Sequence, residues 1–212
     1  MWKIQNNTEL FPTNAFGILE FQGADIHTNH AEYIRLSFDT KPQNIIKLLK
    51  DYWQLELPKL IISVHGGIAN FGLQPKLKQA LQQGLIRVAN TSHIWIITAG
   101  TDTGIVKHIG EILKEYFPNF SKNNLIAIGI APWGVVNEKE SLIGCGIEVP
   151  YYTNQRTINS GNQFNLNSCH SYFLLVDDGT VGRYGCEISF RRRVERFLSR
   201  HKSEIYMDFD LS

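Results

Sequence analysis

Four places in the chain combine glycine with polar or aromatic residues just where a short apolar run gives out. They are His65-Gly66-Gly67, Thr98 to Gly104, Pro132-Trp133-Gly134 and Asp178 to Gly185. Backbone amides at a glycine-rich turn or a helix N-terminus point outward unpaired, and they form an anion site without a cationic side chain. Gly66 with Gly67, Gly100 with Thr103 and Gly104, and Gly179 with Thr180 and Gly182 are candidates for cradling phosphates. A tight turn explains any one pair alone; three such groups at one sheet edge point to a ligand. Arg191 is placed to reach back over the Gly179 loop, and arginine pairs with phosphate through two parallel hydrogen bonds. Arg192, Arg193 and Arg196 fall on other helix faces and read as solvated or as contacts to a neighbouring chain. Trp133, Tyr151, Tyr152 and Tyr184 flank the same loops, either to stack on a base or to pack loop against core. Glu187 is the carboxylate of a helix first turn, where it favours the dipole. His65 either contacts a ligand or is a satisfied loop histidine.

Several chemistries lack their motif. No GxxxxGK[ST] occurs, GTVGRYG does not have GxGxxG spacing, and no acidic residue ends a second strand about 20 residues on. The run Ser168-Cys169-His170-Ser171 suggests a nucleophile, but neighbours on a strand point to opposite faces and there is no GxSxG elbow. Neither HExxH nor a paired-carboxylate constellation supports metal chemistry.

The elements that hold these places follow a rhythm. Leu60 to Val64, Ile94 to Thr98, Leu125 to Ala131 and Tyr172 to Val176 are uncharged, β-branched runs of the kind buried on both faces. Between them, Pro75 opens a helix with Leu77, Leu81, Leu85 and Val88 on one face. Thr103-Gly104 opens another with Ile105, Ile109, Ile112, Leu113 and Tyr116. A last helix, roughly Tyr184 to Arg200, brings Ile188, Val194, Phe197 and Leu198 to the core. Upstream, Phe16 to Phe21 and Tyr33 to Phe38 alternate as strands, and Pro42 opens an amphipathic helix. Residues 135 to 167 read as irregular, and KSEIYMDFDLS as a tail without a partner. Strands alternating with helices imply an α/β fold with a parallel sheet, whose ligands bind beyond the strands' carboxyl ends. Three parts follow: residues 1–54 as an extension packing on the core, 55–200 as a Rossmann-like domain, and 201–212 as the tail.

Composition narrows the class. The 212 residues are 43% hydrophobic and 19% charged, which is globular rather than disordered. Lys and Arg number 21 against 20 acidic residues, a net +1 that offers no general attraction to nucleic acid. Cys145, Cys169 and Cys186 are odd in number and lack CxxC spacing, which argues against disulfides or a zinc cage and for a reducing compartment. The N-terminus has no apolar signal segment, and no apolar run approaches the roughly 18 residues of a membrane span.

The run LELPKLIISVHGG, followed by LQPKLKQALQQGLIRVA, WIITAGTDTGIVKHIGE, AIGIAPWGVV and DDGTVGRYGCEISFRRRVERF, resembles the cytosolic homology region of melastatin-type transient receptor potential (TRPM) cation channels. FGILEFQG and AEYIRLSFDTKP match it as well, so the resemblance covers residues 16 to 200. It implies a Rossmann-like domain of the SLOG superfamily on the cytosolic face of a plasma-membrane, calcium-permeable channel. Its partners would be the remaining domains and neighbouring subunits of a homotetramer, and its ligand ADP-ribose or a related nucleotide. No cofactor is otherwise implied, nor any catalysis. By motif position the ligand-facing residues would be His65, Gly66, Gly67, Thr98, Gly100, Gly134, Tyr152, Asp178, Gly179, Thr180, Gly182, Tyr184, Glu187 and Arg191. Ala99 stands where the family usually has a second glycine, and a methyl group there bears on close approach to a phosphate. Two other readings stay open: a subunit-interaction domain without ligand, and a LOG-like nucleotide N-glycosidase. The LOG signature PGGxGTxxE places its Glu three residues after Thr, whereas Glu187 lies seven after Thr180, a displacement of about one helical turn.

Overall fold

The computed structural model describes residues 13–23, 29–90, 93–116, 125–153, 162–201 and 206–210. In chain order they form β1 (Ala15–Gln22), β2 (Asn29–Ser37), α1 (Pro42–Lys47, continued by a π-turn Leu48–Tyr52), β3 (Leu60–His65), α2 (Pro75–Ala89), β4 (Ile94–Thr98), α3 (Gly104–Tyr116), β5 (Leu125–Pro132), β6 (Gly144–Tyr152), β7 (Tyr172–Asp177), α4 (Cys186–His201) and β8 (Tyr206–Asp210). The strands make one sheet in the order β6-β1-β2-β7-β5-β4-β3-β8. From β2 to β8 every pairing is parallel; β1 runs antiparallel to β2, and β6 parallel to β1.

Each helix start has a local cause. Prolines stand at the first turn of α1 and α2, where a missing N–H costs nothing. All five residues of β4 are buried, as expected of a strand covered on both faces. On one face Ile61, Trp95, Ile97, Ile128 and Ile130 pack under α1 and α4. The other face is covered in two parts. Ile62, Val64, Ile94 and Ile96 lie under α2 and α3. Tyr33, Phe173 and Leu175 lie under Trp133, Val136 and Leu142.

The structure departs from the sequence expectations at three points. The stretch read as irregular contains β6, an edge strand whose exposed residues include Cys145, Gly146, Glu148 and Pro150. The stretch read as a tail supplies β8, paired with β3. Ile188 and Leu77, expected in the core, are 52% and 46% exposed. The buried stripe of α4 is instead Glu187, Phe190, Arg191, Val194, Glu195 and Leu198, and half of it is charged.

Candidate functional site

The chain leaves β3, β4 and β5 toward the α2/α3 face, and leaves β2 and β7 toward the α1/α4 face. The direction switches between the neighbours β5 and β7, which is where an open α/β sheet parts to admit a ligand. Here the two loops lie on each other. Gly182 N donates to Gly134 O at 2.9 Å. A Cβ at Gly134 would lie 2.0 Å from Thr180 O, so only glycine permits this approach. Gly134 therefore serves contact between two loops of the same chain.

Two of the amides expected to cradle phosphate, those of Gly179 and Thr180, are engaged by carboxylates, as is the neighbouring Gly185 amide. Gly179 N donates to Asp177 Oδ1 at 2.8 Å and Thr180 N to Asp178 Oδ1 at 2.9 Å. The Thr180 hydroxyl also donates to Asp178 Oδ1, at 2.6 Å, and that bond leads the causes holding the Asp178 carboxyl below its usual range. Gly185 N donates to Glu187 Oε2 at 2.7 Å. Glu187 is buried, and burial raises its pKa despite this bond. Asp177 is further tied to Arg35, whose Nε lies 2.7 Å from Oδ2 and whose guanidinium stacks over Trp133 at 4.8 Å. Three carboxylates thus stand where a phosphate was expected, one of them paired with Arg35.

Arg191 does not reach over the Gly179 loop. It points under the sheet, donating to Val64 O at 3.0 Å, Ile97 O at 2.7 Å, Ser63 Oγ at 2.6 Å and Glu195 Oε1 at 2.7 Å. The β3–β4 pairing ends at Ser63 and Ile97, so the guanidinium satisfies carbonyls just where the strands part. Ser63 donates its one proton to Glu195 Oε1 at 2.6 Å. His65 Nε2, 3.0 Å from Ser63 Oγ, must then be the donor of that pair.

A second buried network lies on the other face. Thr98 and His170 are both 0% exposed. Gly100 N donates to Thr98 Oγ1 at 2.9 Å, and Thr98 Oγ1 lies 2.7 Å from His170 Nε2. His170 Nδ1 is 3.2 Å from Asn167 Oδ1, an obligate acceptor, so the proton sits on Nδ1 and Thr98 donates to Nε2. Burial pushes the His170 pKa down to about 4, which keeps the ring neutral. Asn167 also binds Asp102 Oδ1 at 2.7 Å, Gly100 O at 2.9 Å and Cys169 N at 3.0 Å. Thr98 and Gly100 therefore hold the 165–170 segment against the sheet and do not face the loops. The SCHS run is part of the same packing: Cys169 is buried, with its thiol pKa raised mainly by that burial.

The whole of this arrangement falls within one known family. A family model described as SLOG in TRPM matches residues 31–211. The chain belongs to the TRPM family. It is 46% identical over 201 residues to transient receptor potential cation channel subfamily M member 7 of Rattus norvegicus, covering 95% of the chain and 11% of that protein. Against subfamily M member 1 of Mus musculus the identity is 47% over 201 residues, 95% of the chain and 12% of the relative. Against a transient receptor potential channel of Caenorhabditis elegans it is 46% over 205 residues, 97% of the chain and 10% of the relative. The chain thus spans about a tenth of the length of the TRPM relatives it matches, and its sheet is the Rossmann-like SLOG fold.

Within this TRPM domain the remaining site residues separate. His65, Gly66 and Gly67 stay together at the end of β3, with both glycines exposed and open space above Gly67. Tyr184 pairs with Phe164, ring centroids 5.8 Å apart, and its hydroxyl donates to Thr101 Oγ1 at 3.4 Å. Burial raises the Tyr184 pKa to about 12. Tyr152 is not with them. β6 runs opposite to β7, so Tyr152 leaves the sheet at the end where β2 and β7 begin, 46% exposed. Ala99 packs against the α2/α3 core. Asp102, Asn167 and Glu195 do not stand out in the sequence. For Glu195 a signal existed, since it lies four residues after Arg191 and shares its helix face.

Proposed function

We propose that this domain is an assembly module on the cytosolic face of a TRPM-type, calcium-permeable cation channel. It acts through contacts with the subunit's other domains and with neighbouring subunits of the tetramer. The observation that supports a ligand-free edge is the capture of the Gly179, Thr180 and Gly185 amides by Asp177, Asp178 and Glu187. Among the described residues no helix is long and apolar enough to cross a membrane, which fits a role beside the pore rather than in it. Glu187 serves as a cap on its own helix, so it does not favour glycosidase chemistry.

A sensing role for ADP-ribose is the second reading. It is favoured by the exposed Gly66-Gly67 turn at the same sheet edge, and it requires the 177–187 loop to give up its internal bonds. Calorimetric titration of the chain with ADP-ribose, with AMP and ATP as comparisons, separates the two. The assembly reading expects no saturable heat from any of them. Micromolar, saturable ADP-ribose binding would overturn it in favour of the sensor.

A further inference from the structure

The solvent side of α4 carries charge of one sign. Its two carboxylates, Glu187 and Glu195, are buried, while Arg192, Arg196 and Arg200 are exposed. These three stand four residues apart and continue a row that starts at Ile188, itself 52% exposed. Each step of such a row rises about 6 Å along the helix and sets one side chain beside the next. Among the described residues no carboxylate forms an ion pair with any of the three. Their neighbours differ. Arg191 closes the edge of β3 and β4, and Arg193 donates to Phe38 O and lies over the Phe190 ring at 5.8 Å. Like charges four apart on a helix repel, and nothing among the described residues offsets that repulsion. Carboxylates brought from outside would turn it into attraction. The helix has no lysine. Arginine's planar fork matches a carboxylate through two parallel bonds and is less strongly hydrated than an ammonium.

We infer that this row is the dock for an acidic helix from elsewhere in the channel subunit. One carboxylate per turn faces Arg192, Arg196 and Arg200, and an apolar residue faces Ile188. Charge complementarity names the occupant. Anionic lipid surfaces are held by clusters of about four to eight basic residues, and three arginines on a chain of net +1 fall short of one. The relatives have room for such a helix, since the matched region is only 10–12% of their length. The inference deepens the assembly reading and rests on it. Saturable ADP-ribose binding would overturn the ligand-free reading, whereas the labelling below bears on the dock alone.

Ser189, exposed and three residues before Arg192, reports on this face. The test grafts this chain in place of the matched region of the nematode channel, with Cys145→Ser and Ser189→Cys. Maleimide labelling of position 189 is timed by peptide mass spectrometry in the isolated chain and in the assembled channel in detergent. Docking expects labelling at least about tenfold slower in the channel, restored by Arg192→Glu with Arg196→Glu and Arg200→Glu. Equal rates in both settings would overturn the proposal. So would protection that the triple reversal leaves intact, since the cover would then not be acidic. Protection of the isolated chain by phosphatidylserine-rich vesicles, without protection in the detergent-held channel, would also overturn it and make the face a lipid contact. Should the graft not assemble, peptides tiling the nematode channel outside its matched region are tested for binding to the isolated chain. Capture by peptides with Asp or Glu once per turn, lost in the triple reversal, supports docking. The absence of any peptide sensitive to the reversal overturns it.

Discussion

α3 buries seven of its thirteen residues and α2, one crossover earlier on the same face of the sheet, buries two of fifteen. At about 1.5–3 kcal/mol per buried aliphatic side chain, α3 is secured by the domain itself. Its N-terminus is closed by Asn70, which accepts from Gly104 N at 2.9 Å, and its middle by Asn167 against Gly110. α2 has neither closure. The pair teaches that identical positions in a crossover pattern carry different duties: one completes the core, the other presents a surface.

The largest expected effect lies on the closed side. Arg191→Ala takes the guanidinium away from buried Glu195, and breaking a buried pair costs about 3–5 kcal/mol. The urea midpoint should fall accordingly, and a near-wild-type midpoint would show that the network under β3 and β4 is not what closes the sheet edge. Acid comes next. His170 has a folded pKa of about 4 against 6.5 for the free side chain, so between those values the unfolded chain takes up a proton that the folded chain does not. Its contribution is complete above pH 6.5 and is lost as the pH falls toward 4, by about 3 kcal/mol. His170→Gln should flatten that slope in unfolding measured from pH 7 to 4; an unchanged slope assigns the acid sensitivity elsewhere.

The same substitution in the two helices gives the sharpest contrast. A Cβ at Gly110 would lie 2.4 Å from Asn167 Nδ2, and Asn167 is held by Asp102, Cys169 and His170, so Gly110→Ala should cost about 1–3 kcal/mol. Gly84→Ala meets only open space and should stabilise the isolated chain by about 0.5–1 kcal/mol. Thermal unfolding of both variants checks the sign. If both destabilise, α2 is as closed as α3 and the contrast fails.

The central strands were legible because burial on both faces leaves an unmistakable uncharged run: β3, β4, β5 and β7 fall within a residue or two of their expected bounds. β6 was not, since an exposed edge strand tolerates Gly144, Gly146 and Pro150, which read as loop residues and mask the alternation from Ile147 to Tyr152. The loops at the sheet edge were legible as a group, their roles less so. Arg191 and Thr98 attract notice as polar residues near glycine turns, but nothing in their types says whether they turn outward to a ligand or inward to carbonyls. That choice depends on the partner across the fold. Arg191 meets Ser63 and Val64, and Thr98 meets His170, all remote in the chain.

The pairing of β2 with β7 has a consequence for synthesis. Arg35 and Asp177, which bind each other across that pair, are 142 positions apart. A nascent chain can form the β1–β2 hairpin early, but the apolar side chains of β2 have no neighbouring parallel strand until β7 has left the ribosome. Long-range pairing of this kind is slow and leaves sticky surface exposed meanwhile. Translation through the intervening 130 or so residues is therefore the interval in which the apolar face of β2 stays uncovered longest.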